Sequence, residues 1–247
     1  MISIFKQSGM HYLFYFFILA GAIFSLLYFR RFMNYFVETP MVQPTHVEYK
    51  GRGYCTIDAG YTEPVLYPDF IDDAQAQAIL NLANPRFTES TIVTGTDSNI
   101  RKSQTAWLSK NEPVVKNIIE RVCELTQLPF SHAEKMQVVK YGPNGFYNEH
   151  YDAACDDNAA CVEFEKNGGQ RKVTMLIYLN DNFEGGETKF PTLGRSYTPR
   201  QNAGLLFYSL QNDGNQCHPK SLHAGVPVKN GSKYVCNVWI REMPHVI

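Results

Sequence analysis

The stretch RKVTMLIYLN, Arg171 to Asn180, indicates the fold class of this chain. It is rich in β-branched and aromatic residues and mostly apolar, as expected of a central strand covered on both faces. Further strands are predicted after Pro129, separated by turn sequences such as GPNG, EGGE, TLGR and NDGN. The predicted strands are EKMQVVKY (134–141), GLLFYSL (204–210) and KYVCNVWIRE (233–242).

Two helices are predicted ahead of these strands. In DFIDDAQAQAILNLAN, Asp69 or Asp72 can cap a helix in which apolar residues recur at helical spacing from Ala76 to Ala83. A second helix is expected over about 112–127. Helices followed by many strands indicate an α+β protein, with the helices on one face of a mostly antiparallel sheet or barrel.

The N-terminal region predicts a membrane anchor. No Asp, Glu, Lys or Arg occurs from Gln7 to Phe29. As a helix, residues 11–29 would reach roughly 28 Å, close to the thickness of a bilayer core. A cleaved signal peptide ending at AGA (20–22) is the alternative, but the apolar sequence continues beyond it. The expected organisation is an N-terminal tail (1–10), a transmembrane anchor (11–29), a linker (30–62) and one globular domain (63–247).

Two signals disagree on which side of the membrane this domain lies. Arg30 and Arg31 follow the span while Lys6 precedes it, and this bias of positive charge favours the cytoplasm. The six cysteines favour an oxidising compartment, because they permit several disulfides. We expect a single-pass protein with its domain in the endoplasmic reticulum lumen, with the opposite orientation and another membrane left open.

The cysteines also carry local expectations. Cys155 and Cys161 flank a short acidic loop and are the best local candidates for a disulfide. Cys123 lies on the apolar side of the second predicted helix, where a buried thiol is expected. The net charge of −1 gives no electrostatic reason to expect nucleic acid as a partner.

The stretch NEHYDAA (148–154) places a histidine and an aspartate two positions apart. On an extended chain His150 and Asp152 project from one face, so they suit either a metal ion or an ordinary strand edge. Farther along, Lys233 follows His223 by ten positions. On the last strand Lys233 and Trp239 share a face, so the two side chains can line one pocket.

Several stretches together resemble the prolyl 4-hydroxylases, within the Fe(II)- and 2-oxoglutarate-dependent dioxygenases. The resemblance covers most of 63–247 and implies a double-stranded β-helix, or jelly-roll, core. It is carried by RKSQTAWL (101–108), VVKYGPNGFYNEHYD (138–152), GGQRKVTMLIYLNDNFEGGETKFP (168–191) and HPKSLHAGVPVKNGSKYVCNVWIRE (218–242).

The resemblance implies His150, Asp152 and His223 as ligands of Fe(II). Two imidazoles and one carboxylate on one face of iron leave positions for the 2-oxo acid and for O2. Lys233 is implied as the catalytic-site cation that holds the far carboxylate of 2-oxoglutarate, with a hydroxyl from Tyr141. Two further residues, Thr188 and Trp239, match positions that line the same pocket.

The implied reaction consumes O2 and 2-oxoglutarate, releases succinate and CO2, and hydroxylates a C–H bond, with L-ascorbate restoring enzyme that is oxidised without substrate. Tyr147 and Arg171 match positions at a peptide groove, although Arg171 equally suits a surface ion pair. A proline-rich or collagen-like polypeptide is the expected substrate, because its polyproline II shape is recognised at low entropic cost. The alternatives are a related dioxygenase acting on lysine, another peptide or a metabolite, and a membrane-tethered binding protein without turnover.

Overall fold

A computed structural model describes residues 61–92, 97–156, 158–211 and 216–245. The predicted anchor and nearly all of the predicted linker lie outside these residues. Within them, no helix is both long enough and apolar enough to cross a membrane.

The described residues form three α-helices, which we label α1 (Asp73–Ala83), α2 (Pro113–Thr126) and α3 (Ala159–Glu165). Helix α1 begins at a capping box, in which the Asp72 side chain accepts a hydrogen bond from the backbone of Gln75 and the Gln75 side chain accepts one from Asp72. Helix α2 ends where Gln127 adopts the left-handed conformation. The first two helices confirm the prediction, whereas α3, capped by Asn158, was not predicted and begins within the stretch between Cys155 and Cys161 that was expected to be an acidic loop.

All strand pairs in the described residues are antiparallel, and the main sheets have seven and five strands. The strands are β1 (Val65–Tyr67), β2 (Thr88–Glu89), β3 (Arg101–Lys102), β4 (Gln104–Leu108), β5 (Met136–Tyr141), β6 (Phe146–His150), β7 (Arg171–Tyr178), β8 (Glu184–Gly185), β9 (Thr188–Phe190), β10 (Arg195–Tyr197), β11 (Gly204–Tyr208), β12 (His223–Gly225), β13 (Val228–Asn230) and β14 (Lys233–Arg241). The larger sheet has the order β1-β11-β7-β14-β5-β4-β2, the smaller sheet has the order β10-β9-β12-β6-β3, and β13 pairs with β8.

The larger sheet divides the interior into two cores. Val138 and Cys236 face the helices, and they pack with Ile119 of α2 in one cluster. Their neighbours Val139 and Val235 belong to the second cluster, on the opposite face of the same strands. The fold is therefore a mostly antiparallel β core with helices on one face, as predicted, and it is consistent with a jelly roll.

The disulfide differs from the local expectation. Cys155 is bonded to Cys217, 62 residues away, and not to Cys161. The Cα atoms of the bonded pair are 5.6 Å apart, as a disulfide requires. Cys161 lies in the first turn of α3, and its free thiol is buried. It is therefore part of a helix and, contrary to the expectation, is not bonded to Cys155. Cys123 is free, as expected, but half-buried rather than buried.

Candidate active site

Three predicted metal ligands converge where β6 and β12 meet. His150 ends β6 and His223 begins β12, and the two residues are partners in the ladder between these strands. Asp152 follows β6 by two positions. One ligating atom from each of the three residues lies within 4.8 Å of the other two. Strand pairing therefore brings His223 to two residues that lie far from it in the sequence.

The orientation of both imidazoles suits a metal ion. His150 Nδ1 lies 2.7 Å from the carbonyl oxygen of Asn148, and His223 Nδ1 lies 2.9 Å from that of Ser221. A carbonyl oxygen only accepts, so each Nδ1 carries the proton and each Nε2 keeps its lone pair free for a metal ion. The two Nε2 atoms each lie 3.8 Å from a carboxylate oxygen of Asp152.

The charges of the cluster also fit a divalent cation. Burial and the neighbouring His223 lower the pKa of His150 to about 3, so this imidazole is neutral at physiological pH. Burial opposes ionisation of Asp152, but His223, His150 and Arg171 outweigh it and hold its pKa below the usual value. Two imidazole nitrogens and one carboxylate are the donor set that non-haem Fe(II) takes in its facial triad.

The carboxylate and the loop that carries it are held by β7. Thr174 Oγ1 donates a hydrogen bond of 2.6 Å to Asp152 Oδ2. The guanidinium of Arg171 donates to the backbone carbonyl of Asp152 at 3.4 Å. Outer contacts of this kind orient the ligands of a metal and contribute to its affinity.

A second set of predicted residues lines the interior between the sheets. Lys233 is buried, and its ammonium donates to the carbonyl oxygen of Gly186 at 2.7 Å. Burial lowers the pKa of Lys233 to about 7, with a smaller opposing effect of Glu187. Thr188 Oγ1 lies 2.8 Å from the hydroxyl of Tyr178, and the Lys233 ammonium lies 5.6 Å from the Tyr178 ring centroid. A buried cation with hydroxyl groups nearby suits a carboxylate ligand.

Trp239 lies on the same face of β14 as Lys233 but farther along the strand. It pairs with Thr174 in the ladder between β14 and β7. Among the residues that the structure describes, its Nε1 is one of a few buried polar side-chain atoms without a hydrogen-bond partner. The indole is buried, with the guanidinium of Arg171 against its ring.

Tyr147 lies against the metal cluster. Its ring stacks on His150 with the centroids 3.5 Å apart and the planes at 18°. Arg101 of β3 pairs with Tyr147 of β6, and its guanidinium lies 4.6 Å from the centroid of the Tyr147 ring. Arg101 is buried, and its position beside the cluster was not predicted, although it opens the stretch RKSQTAWL.

Arg171 forms an ion pair that is largely buried, not one on the surface. Glu134 accepts from Arg171 Nε at 2.6 Å and, through the same oxygen, from Arg241 Nε at 2.7 Å. Burial opposes ionisation of Glu134, but the two arginines lower its pKa below the usual value. The Arg171 guanidinium also lies 3.4 Å from the ring centroid of Trp239. The contact of Arg171 with Glu134 and Arg241 was not predicted. The sequence feature that could have indicated it is the charged residue near one end of each of these predicted strands.

A surface groove continues outward from Arg171. It has a volume of about 580 Å³, and we call it the Trp107 groove after its most exposed aromatic residue. Trp107 is 46% exposed, and its ring centroid lies 6.1 Å from that of Trp239. Other residues that line the groove include Glu163, Phe164, Arg241 and His245.

Comparison with known families matches residues 136–241 to the 2OG-Fe(II) oxygenase superfamily. A putative prolyl 4-hydroxylase of Acanthamoeba polyphaga mimivirus is 47% identical over 189 residues, which cover 76% of this chain and 78% of that protein. The bovine prolyl 4-hydroxylase subunit alpha-1 is 37% identical over 184 residues. These residues cover 72% of this chain but 34% of the bovine subunit, so the match spans about a third of that relative.

A solved structure shows the same likeness. The viral collagen prolyl hydroxylase of Paramecium bursaria Chlorella virus-1, in its 2OG complex, matches with a TM-score of 0.59 and 28% sequence identity. The match covers 73% of this chain and 96% of the viral enzyme.

Proposed function

This chain belongs to the prolyl 4-hydroxylases of the 2OG-Fe(II) oxygenase superfamily, and we propose that it hydroxylates prolyl residues in proline-rich or collagen-like polypeptides. The products are 4-hydroxyproline, succinate and CO2. The observation that carries the proposal is the convergence of His150, Asp152 and His223 beside a core that contains a buried lysine, Lys233.

The protein supplies the binding and orientation that this reaction needs. Fe(II), when bound, couples the decarboxylation of 2-oxoglutarate to the transfer of an oxygen atom from O2 to a C–H bond. His150 and His223 would hold the metal through Nε2, and Asp152 through its carboxylate. A facial set of three ligands leaves the remaining positions free for 2-oxoglutarate and O2.

The co-substrate would bind beside the second core, between residues of the two main sheets. Lys233 would form a charge-assisted hydrogen bond with the far carboxylate of 2-oxoglutarate. Tyr141 and Thr188 would contribute hydroxyl groups to the same pocket. Buried apolar residues of the second core, such as Phe207 and Leu205, exclude water around this polar centre.

The peptide would approach from the side of Tyr147 and the Trp107 groove. Tyr147 stacks on a proposed metal ligand, and Arg171 joins the ligand loop to the groove. A polyproline II chain is already extended, so an aromatic groove can bind it with little loss of conformational entropy.

The proposal extends to the setting of the enzyme. L-Ascorbate is the expected reductant that restores enzyme oxidised in the absence of substrate. Residues 11–29 are proposed as a single-pass anchor, with the catalytic domain in the endoplasmic reticulum lumen. The Cys155–Cys217 disulfide supports an oxidising compartment.

The decisive experiment measures products from the full chain in detergent. Succinate from 2-oxoglutarate should increase when a (Pro-Pro-Gly) peptide is added, and the peptide should gain 4-hydroxyproline. The His150→Ala variant serves as the inactive control. Succinate formation that no proline-rich peptide increases would point to another substrate, and absence of succinate under all conditions would overturn the proposed enzyme.

A further inference from the structure

We propose that the Cys155–Cys217 disulfide positions the ligands of the metal centre, so that the affinity for Fe(II) depends on the oxidation state of these two cysteines. The inference deepens the proposed function and rests on it for the identity of the metal.

The ligands lie between a strand ladder and the disulfide. Strands β6 and β12 pair at His150 and His223, and again at Tyr147 and Gly225, on one side of the cluster. On the other side the two segments leave the ladder: β6 ends at His150, and β12 begins only at His223. The disulfide joins the segments again, through Cys155 after Asp152 and Cys217 before His223. It therefore closes the side of the site that has no strand pairing.

On the Asp152 side, the disulfide belongs to a tightly bonded loop. The side-chain amide of Gln170 donates a hydrogen bond of 2.5 Å to the carbonyl oxygen of Ala154. Its oxygen accepts a hydrogen bond of 2.8 Å from the backbone N–H of Ala154. Cys217 Sγ lies 3.5 Å from the carbonyl oxygen of Ala153. The bonded cysteine from the His223 segment thus contacts the residue directly after Asp152.

On the His223 side, hydrogen bonds hold the short segment between the disulfide and the ligand. The backbone N–H of His218 donates to Ser209 at 2.8 Å, and the hydroxyl of Ser221 donates to the same carbonyl oxygen at 3.0 Å. The carbonyl oxygen of Ser221 then accepts the hydrogen bond from His223 Nδ1 at 2.9 Å. His218 directly follows Cys217, so the disulfide and these hydrogen bonds together fix the segment that orients the His223 ring.

A different role for the disulfide must be separated from this one. A bond that closes a loop of this length also stabilises a fold by restricting the unfolded chain. That effect changes the free energy of unfolding but leaves the metal affinity of the folded protein unchanged. A positioning role changes the affinity of protein that is still folded, because misplaced outer contacts typically cost about tenfold or more in metal affinity.

The test compares metal binding by the full chain in detergent with and without the disulfide. Mn(II) is the probe, and its free concentration is read from its EPR signal without any turnover. The double variant Cys155→Ala/Cys217→Ala should bind Mn(II) about tenfold more weakly than oxidised wild type. The matched control is Cys161→Ala, which removes a nearby thiol that is not bonded and should leave the affinity unchanged. Circular dichroism at the same temperature establishes that each protein is folded.

A second arm applies if the double variant does not fold. A phosphine with one water molecule reduces the disulfide of folded wild type to two thiols and is itself converted to the phosphine oxide. Mass spectrometry then counts the thiols, the phosphine is removed, and the titration is repeated. The affinity should fall about tenfold and recover after reoxidation by O2.

The outcomes distinguish the two proposals. Equal Mn(II) affinity, within twofold, of folded protein with and without the disulfide would overturn the positioning role alone. Oxidised wild type that binds no Mn(II) would overturn the proposed metal centre, and this inference with it.

Discussion

Lys233 lies directly opposite Tyr141 in the ladder between β14 and β5, with its ammonium 5.5 Å from the centroid of the tyrosine ring. Residues opposite each other in an antiparallel ladder project from the same face. The cation and the phenol therefore lie on the same face of the larger sheet, and both residues are buried. This relationship supports the proposed binding of 2-oxoglutarate beside Lys233 and Tyr141 and leads to the first two predictions.

Replacement of Lys233 by Ala should weaken 2-oxoglutarate binding and leave Fe(II) affinity almost unchanged. The lost charge-assisted hydrogen bond contributes roughly 1.5–3 kcal/mol, so the apparent constant should rise by at least about tenfold. Lys233→Arg should also weaken 2-oxoglutarate binding, since a planar guanidinium does not replace a compact ammonium at a buried site. Titrations with 2-oxoglutarate and with Fe(II) measure the two affinities for each variant. The control is Lys229→Ala, which replaces an exposed lysine and should leave both affinities unchanged. An unchanged 2-oxoglutarate constant for Lys233→Ala would mean that another basic residue is the anchor.

The affinity for 2-oxoglutarate should fall as pH rises above about 7. Burial lowers the pKa of free Lys233 to about 7, whereas a bound carboxylate favours the charged ammonium and raises this pKa in the complex. Binding above pH 7 therefore requires uptake of a proton, and the apparent constant should rise toward a limit of about tenfold per pH unit. Calorimetry between pH 7 and 9 tests this slope. Lys233→Ala should bind weakly with no such slope, and a flat wild-type profile would contradict the assignment.

Each of His150→Ala, Asp152→Ala and His223→Ala should abolish turnover without unfolding the domain. Each variant removes one donor from a set that together suits Fe(II), while the apolar clusters of the two cores remain intact. Succinate release and circular dichroism measure the two effects. Near-normal activity in any one of the three would remove that residue from the proposed ligand set.

Glu134→Gln should destabilise the fold by about 3 kcal/mol or more, because two largely buried arginines would lose their shared counter-charge. Urea unfolding at neutral pH measures the loss. The matched control is Glu163→Gln, which breaks only an exposed pair with Lys166 and should cost less than about 1 kcal/mol.

The same carboxylate predicts a pH dependence of stability. The folded-state pKa of Glu134 is lowered, so its contribution is present above the unfolded-state pKa and is lost as pH falls through the folded value. Wild type should therefore lose stability in acid more steeply than Glu134→Gln. If the unfolding free energies of the two proteins, measured in urea, changed equally with pH, the lowered folded-state pKa of Glu134 would be contradicted.

Trp107→Ala should raise KM for a (Pro-Pro-Gly) peptide while kcat and the constant for 2-oxoglutarate stay unchanged. An aromatic contact contributes about 1 kcal/mol, which corresponds to roughly fivefold in affinity. Stability should change little, because the side chain is 46% exposed. Leu125→Ala on α2, 44% exposed and not among the residues that line the groove, is the control. Equal KM values for the two variants would exclude the Trp107 groove from the peptide path.

The sequence by itself determined the local elements. Alternation and β-branched residues predicted strands such as β7 and β14, and apolar spacing with a capping aspartate predicted α1. The face of each side chain followed from the same periodicity, so Lys233 was expected to point away from Cys236. The structure confirms this, because the Lys233 ammonium lies near rings of the second cluster whereas Cys236 belongs to the first. The resemblance of the motifs to a known family identified the residues of the proposed active site. Their roles as ligands and anchors stay predictions, although the structure brings the three proposed ligands together.

Only the tertiary structure decided which distant residues meet. The partner of Cys155 is Cys217, although Cys161 is much nearer in the sequence. Glu134 joins Arg171 and Arg241 in one buried cluster, and no spacing along the chain indicated that contact. The reason is physical: local periodicity records which way a side chain points, whereas the distance between two segments depends on how strands pair and pack. Covalent and ionic contacts between such segments therefore become visible only when the sheets are assembled.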